Sequence, residues 1–393
     1  MEVLILSNKV PYPARDGSSL AMRSTVESLR LNGVKCTVLS LNTLKHYREP
    51  AEIEAVKPPN LDLHYLKADT NIRALGALKN LIKGDPYHVS RFEQAAYQKL
   101  LLRLLRNKTF DFVQIEGLSM GVYLPMLRKH SRAKVILRAH NIEAEIWRRH
   151  LAAEKNFLFK WYLKEQVRRL AAFEEALFLQ VDGLNFITEA DRQKVKPQKP
   201  SAAIPTGINL EDYPVQEVNP EFDFAYLASF DWLPNRQGAQ WFLDKVWPLI
   251  RRENPEASLA LGGRDLPAYF KAFEKQGVKL VRQVDNAQHF MQQARVAIVP
   301  LLAGSGMRIK IIENMAYRRP MVATSIGAEG INLQAPRQIR IADAAPDFAR
   351  HCLHLLAHPE ERERMAEAAF QHLQEHYLNR EIGLKLIDFY RGL

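Results

Sequence analysis

Two series of short apolar runs, each alternating with helix-length segments, constrain this chain more than any other feature. In the first series Val3–Ser7 leads through a Pro- and Gly-containing loop, 10–17, into a helical pattern from about Ser19 to Asn32, which Gly33 stops. Lys35–Ser40, Phe112–Glu116, Val135–Ala139, Gly183–Thr188 and Ala202–Pro205 read as further strands, and 141–181 as one long helical stretch. The second series runs Phe224–Ala228, a helix Gln237–Arg252, Ser258–Leu261 closed by Gly262-Gly263, Val278–Arg282, a helix Ala287–Ala294, Val296–Leu302, Met321–Thr324 and Ile339–Ile341, and is helical from Ala344. The segment from Ile208 to Asp223, with Pro214, Pro220 and no periodicity, reads as a linker. Apolar strands alternating with helices predict parallel sheets covered on both faces. A chain of 393 residues is also too long for one ordinary core. The expected fold class is therefore α/β, with two Rossmann-like domains. Their expected ranges are 1–207 and 208–375, with 376–393 a helix crossing back to the first domain. Ligands of such sheets bind beyond the carboxyl ends of the strands, so the paired sheets are expected to face a central cleft.

The segment Gly304-Ser305-Gly306-Met307-Arg308-Ile309-Lys310-Ile311-Ile312-Glu313 follows a strand and opens a helix. Free backbone N–H groups at a helix N-terminus attract phosphate. Arg308 and Lys310 add two cations that can reach a diphosphate. Glu313 can accept hydrogen bonds from ribose hydroxyls. Together these residues predict a nucleotide-diphosphate site, whereas simple turn glycines and solvated helix charges are the plainer alternative.

Charge is divided unevenly. Residues 1–199 hold 33 Lys and Arg against 21 Asp and Glu, a balance of +12, while the remainder holds 22 against 23. A basic first half predicts an anionic partner such as a membrane face, a lipid phosphate or a nucleic acid, set against a general solubility bias. Within it, Phe157-Leu158-Phe159-Lys160-Trp161-Tyr162-Leu163-Lys164 belongs to a basic, aromatic helix. Its aromatics are expected to fill the core, with an anionic membrane surface as the alternative. No apolar run is long enough to span a bilayer. Val3–Ser7, preceded by Glu2, reads as a first strand and not a leader. Cys36 and Cys352 stand far apart in apolar segments and are expected to be buried, reduced thiols in a cytoplasmic setting, peripheral to the membrane at most.

The donor segment, continued through Asn314-Met315-Ala316-Tyr317-Arg318-Arg319-Pro320-Met321-Val322-Ala323-Thr324 and on to Ile331, resembles the donor-site signature of the large retaining glycosyltransferase family that uses nucleotide sugars, family 4 of the GT-B fold. Phe230-Asp231-Trp232-Leu233-Pro234-Asn235, Arg138-Ala139-His140-Asn141-Ile142-Glu143 and Ile204-Pro205-Thr206-Gly207-Ile208-Asn209 extend the resemblance, in order, along nearly the whole chain.

The resemblance implies that Glu313 binds the ribose and that His140 meets the donor sugar or its phosphate. Gly304, Gly306 and Met307 would approach the phosphates through their backbone, and Gly17 would give its N–H to the β-phosphate. Family members usually carry a second Glu eight residues before the first-turn Glu; this chain has Ser305 there, so its backbone N–H is expected to serve instead. Relatives also place an Arg and a Lys in the loop that here holds Ser229 and Asn235, which are donor-binding candidates by that position but leave Arg308 and Lys310 to carry the diphosphate charge. Asn141 and Glu143 are candidates for the acceptor, Glu143 alternatively bracing its loop.

The implied reaction is sugar transfer, with retention, from a nucleotide-diphosphate donor to a glycan or lipid-linked acceptor in cell-surface polysaccharide or glycoconjugate synthesis. Electrostatic stabilisation of the leaving diphosphate is its main task. The chain has no Asp-x-Asp sequence, and neither a metal nor a cofactor is expected. A nucleotide-sugar epimerase on the same fold is one alternative, though the Arg-x-Lys-x-x-Glu pattern does not supply its proton-abstracting carboxylates. A nucleic-acid binder is the other, and no helix-turn-helix, zinc spacing or aromatic strand platform supports it, so no nucleic acid is expected.

Overall fold

The computed structural model describes residues 1–73, 76, 80, 84–214, 218–304 and 306–393. The chain divides into two compact units, Met1–Gly207 with Asn379–Leu393, and Ile208–Leu378.

The first unit is built on seven parallel strands: β1 (Glu2–Ser7), β2 (Lys35–Thr43), β3 (Asp62–Ala68), β4 (Phe112–Glu116), β5 (Lys134–Ala139), β6 (Gly183–Phe186) and β7 (Ser201–Ala203), in the order β3-β2-β1-β4-β5-β6-β7. Successive strand residues face opposite sides, so β1 feeds two cores. Leu4 and Leu6 join Leu39, Leu41, Val113, Ile115, Val135 and Leu137 on one face. Val3 and Ile5 join Val38 and Ile136 on the other. That second face is covered by α1 (Gly17–Leu31) and by the chain's last helix, through Val26, Leu29, Ile382, Leu386 and Tyr390. Burying each of these side chains contributes about 1.5–3 kcal/mol.

The stretch 141–181 is not one helix. It breaks into α2 (Glu143–Ala153) and α3 (Phe157–Gln180), and Asn156 starts α3 by accepting a hydrogen bond from the Phe159 N–H. Leu163, Gln166, Val167, Leu170, Glu174 and Leu177 form the buried stripe of α3, at helical spacing. The expectation that the aromatics before Leu163 fill the core is overturned: Phe157 is 80% exposed, Leu158 78%, Phe159 50% and Trp161 63%. They lie in the first turns of α3, ahead of the point where its buried stripe begins.

The second unit holds β8 (Phe222–Leu227), β9 (Leu259–Gly262), β10 (Val278–Val281), β11 (Ala294–Val299), β12 (Met321–Ala323) and β13 (Arg340–Ile341), parallel in the order β10-β9-β8-β11-β12-β13. One face carries large residues, Phe224, Tyr226, Leu261, Ile298 and Val322, under Trp247 and Phe348. The other carries a row of small ones, Ala260, Ala225 and Ala297 in register, packed with Ile311, Ile312 and Met315 of the helix that follows the donor segment. Small strand residues let that helix lie close to the sheet. Helices α4 (Leu233–Trp241), α5 (Ile309–Ala316), α6 (Ala345–Ala357) and α7 (Pro359–His376) belong to this unit, and α8 (Asn379–Arg391) to the first. Both cysteines are buried and free, their thiols raised by burial, Cys36 to about 12. Among the described residues no helix is long and apolar enough to cross a membrane.

Candidate functional site

In the second unit the chain leaves β11, turns through 300–308 and enters α5 with Arg308 as its N-cap. Gly304 and Gly306 take φ of +138° and +76°, which side-chain-bearing residues rarely adopt. A Cβ on Gly304 would lie 2.5 Å from Arg308 Nη2, so glycine there also leaves room for the guanidinium. Ser305 lies outside the described residues, and Met307 is half-buried.

Arg308 is 6% exposed. Its Nε donates to the Ile326 carbonyl at 3.4 Å, its Nη2 stands 3.8 Å from Glu329 Oε2, and the guanidinium lies 5.9 Å from the Trp232 ring. Lys310 Nζ donates to Asn235 Oδ1 at 3.0 Å and to Tyr226 Oη at 3.2 Å, 4.5 Å from the Tyr226 ring centre. Burial, with the neighbouring charge of Arg308, pulls the Lys310 ammonium down to about 7. Burial pushes the Glu313 carboxyl up to about 7 against the pull of Lys310. Among the described residues nothing donates a hydrogen bond to the Glu313 carboxylate. Two cations and a carboxylate thus share one partly buried helix start, and the positive end of the helix dipole adds to its preference for an anion.

Asn235, a donor-site candidate in the sequence, is buried: its Oδ1 accepts from Tyr226 and Lys310, and its Nδ2 donates to the Ser229 carbonyl at 2.8 Å. It fixes Lys310 and the loop before α4. The Ser229 hydroxyl donates to Asp231 at 2.6 Å and accepts from Arg264 Nη2 at 3.5 Å. Arg264, exposed after β9, is a third cation that the sequence reading missed. Gly262-Gly263 was its only signal, marking a tight turn at a strand's carboxyl end.

The other expected residues belong to the first unit. Gly17 is the exposed first residue of α1, behind an Asp16 cap that binds the Ser19 N–H and, at 3.0 Å, Lys9 Nζ. His140 follows β5 directly, and its Nε2 lies 2.5 Å from Oε2 of Glu116, the last residue of β4. Glu116 and Arg138 are both wholly buried and stand opposite each other in register, with Arg138 Nε 4.0 Å from Glu116 Oε2. Burial alone would raise the Glu116 carboxyl. The hydrogen bond and charge of His140 and the charge of Arg138 outweigh it and hold the group below the usual carboxylate range. Glu116 was not singled out in the sequence, since only sheet register brings it beside Arg138 and His140.

Asn141 is half-buried beside this group. Glu143 opens α2, and its N–H and that of Ala144 are held by the Glu174 carboxylate at 2.8 and 3.2 Å. The Glu143 carboxylate lies 3.8 Å from His88 Nε2. Burial, then the charge of Glu174, raises Glu143 to about 7, and burial lowers His88 to about 4, so His88 is neutral at pH 7. The Trp147 ring stands edge-on to His88 at 5.0 Å.

Among the described residues the group spaced to hold a metal ion is His372, Glu375 and His376 on α7. It shares no residue with either cluster above.

Residues 221–358 match the family model of glycosyl transferases group 1. The whole chain is 24% identical to an uncharacterized 44.6 kDa protein in the cps region of Klebsiella pneumoniae, over 97% of each chain. Among solved structures it resembles sucrose-phosphate synthase from Thermosynechococcus elongatus, at 15% identity and a TM-score of 0.72 over 100% of this chain and 99% of that one. It also resembles Anabaena HepE in complex with UDP, at 12% identity and a TM-score of 0.69 over the whole of both chains. The architecture of two parallel-sheet Rossmann-like units is the GT-B fold.

Proposed function

We propose that this protein is a retaining glycosyltransferase that moves a sugar from a nucleotide-diphosphate donor to a glycan or lipid-linked acceptor. The observation that carries the reading is the start of α5, where Arg308, Lys310 and Glu313 converge within the region that matches glycosyl transferases group 1. In the second unit Arg308, Lys310 and the backbone of Gly304, Gly306 and Met307 hold the diphosphate and Glu313 the ribose; in the first unit Gly17 and His140 are the candidates for donor contact. Asn235 and Ser229 order the adjoining loop. HepE was solved with UDP, which supports a uridine nucleotide here.

The acceptor oxygen attacks the anomeric carbon on the face from which the diphosphate departs. Its proton passes to the departing phosphate oxygen, so the scheme needs no protein base. The fixed cations stabilise the charge that develops on the leaving group, and no metal enters the scheme. Glu143, with neutral His88 and the Trp147 edge, supplies carboxylate, imidazole and aromatic surface for a hydroxyl-bearing acceptor. α5 carries one carboxylate, Glu313, where the epimerase reading calls for a set of carboxylates placed for proton abstraction, which disfavours that reading.

The exposed Phe157, Leu158, Phe159 and Trp161, flanked by exposed Arg148, Arg149, Lys155, Lys160 and Lys164, suit an anionic bilayer surface. The relative from a cps region supports a role in surface polysaccharide synthesis.

The test is a thermal-shift and turnover screen with UDP, GDP and ADP and their sugars. A donor that binds only the native state raises its stability, by about 2.7 kcal/mol at a hundred times Kd. UDP is expected to give the largest shift, and Arg308→Ala to abolish it. Stabilisation by no nucleotide overturns the reading, and epimerisation of donor without acceptor favours the rival.

A further inference from the structure

The bonding around His140 runs back to the last helix of the chain. Tyr390 of α8 is wholly buried, and burial holds its phenol well above the usual range, so the hydroxyl keeps its proton. That hydroxyl hydrogen-bonds Gln114 Oε1. Because a phenol must donate to an amide oxygen, the Gln114 amide is oriented. Its Nε2 donates to Glu116 Oε1 at 2.5 Å. The ionised Glu116 is acceptor-only, and Oε2 faces His140 Nε2 at 2.5 Å. Each link fixes the next.

We propose that Glu116 is a positioning residue, set by Tyr390 through Gln114, that fixes the His140 proton on Nε2 and leaves Nδ1 as a lone-pair acceptor for a sugar hydroxyl. Nδ1 has no hydrogen-bond partner among the described residues, and the His140 side chain keeps 11% of its surface exposed. Arg138 steadies the carboxylate from within the sheet. Its Nη2 donates to the Pro205 carbonyl at 3.3 Å, while its Nε and Nη1 make no hydrogen bond among the described residues. Its charge therefore remains directed at Glu116, which tethers the imidazole through one nitrogen and chooses the tautomer. What Nδ1 meets rests on the glycosyl-transfer reading. The tautomer itself does not.

Side-chain ¹⁵N NMR, with His140 assigned by difference against His140→Gln, reads the tautomer directly. Wild type is expected to carry the proton on Nε2; an Nδ1–H tautomer overturns the proposal without any variant at 116. In Glu116→Gln the oriented Gln114 holds the new amide oxygen, so the new amide donates to Nε2 and the proton moves to Nδ1. An unchanged tautomer there contradicts the relay. In turnover, Glu116→Gln is expected to lower kcat by about 10–100-fold with the nucleotide Kd unchanged, and Glu116→Asp to restore part of it. Full activity in His140→Ala would remove the sugar contact while leaving the tautomer result to stand or fall by itself.

Discussion

The two clusters handle buried charge in opposite ways. In the first unit Glu116, His140 and Arg138 are buried together, and the carboxylate is held ionised by its neighbours. At α5 Lys310 and Glu313 are both pushed toward their neutral forms, to about 7 each. Desolvation acts on both groups, but only the first has partners enough to offset it. A carboxylate held ionised by its neighbours is suited to orienting a side chain. One shifted toward neutrality is suited to a charge brought by a ligand, because an arriving diphosphate restores the ammonium.

The largest expected effect breaks the α5 side of this contrast. Arg308→Ala should lower turnover by about 10²–10³-fold, the size of losing one preorganised donor to a developing anion. Circular dichroism should show the fold retained, and near-wild-type turnover would exclude Arg308 from the leaving-group site. Glu116→Gln comes next, at the smaller loss given above, and separates orientation from binding because nucleotide affinity should not move.

Lys310→Met sharpens the comparison by splitting stability from function. An ammonium lowered to about 7 costs stability as pH falls from about 10.5 toward 7, where the unfolded lysine is protonated and the folded one is not, and the full cost remains below 7. Removing the amine should therefore leave thermal stability at pH 6 equal or higher while weakening nucleotide binding by about tenfold or more. A large loss of stability would mark Lys310 as structural. The smallest effect concerns the exposed turn of α3: Phe157→Ser with Trp161→Ser should reduce sedimentation with phosphatidylglycerol vesicles by several-fold without altering turnover on soluble acceptors. Equal sedimentation would exclude this surface as the lipid contact.

Much of the fold was legible because parallel strands buried on both faces read as continuous apolar runs. The cores of β1, β5 and β11 are such runs, and the α/β class followed from their alternation with helical segments. β3 was missed, since Asp62–Ala68 is half-buried along nearly its whole length at the sheet edge and shows no such run. The break between α2 and α3 was missed because it rests on one cap, Asn156, inside an otherwise helical composition. The exposed Phe157 and Trp161 were misjudged because an apolar residue at a helix start looks the same in sequence whether or not something packs on it. At the site, Arg308, Lys310 and Glu313 fall within six consecutive residues at the start of α5, so local spacing brought them forward together. The Glu116–His140 pair stayed hidden because its contact is made by register between β4 and β5, and the hold of Asn235 on Lys310 stayed hidden because the two lie 75 residues apart in the chain.

The central claim, that the start of α5 holds a nucleotide diphosphate, is tested most directly by calorimetric titration of UDP at pH 8 in two buffers of different ionisation enthalpy. Binding should come with net proton uptake, because the ligand's charge raises Lys310 from about 7 and restores its ammonium. The uptake should fall in Lys310→Met. UDP binding with no buffer dependence, or with equal proton uptake in Lys310→Met, would contradict the account.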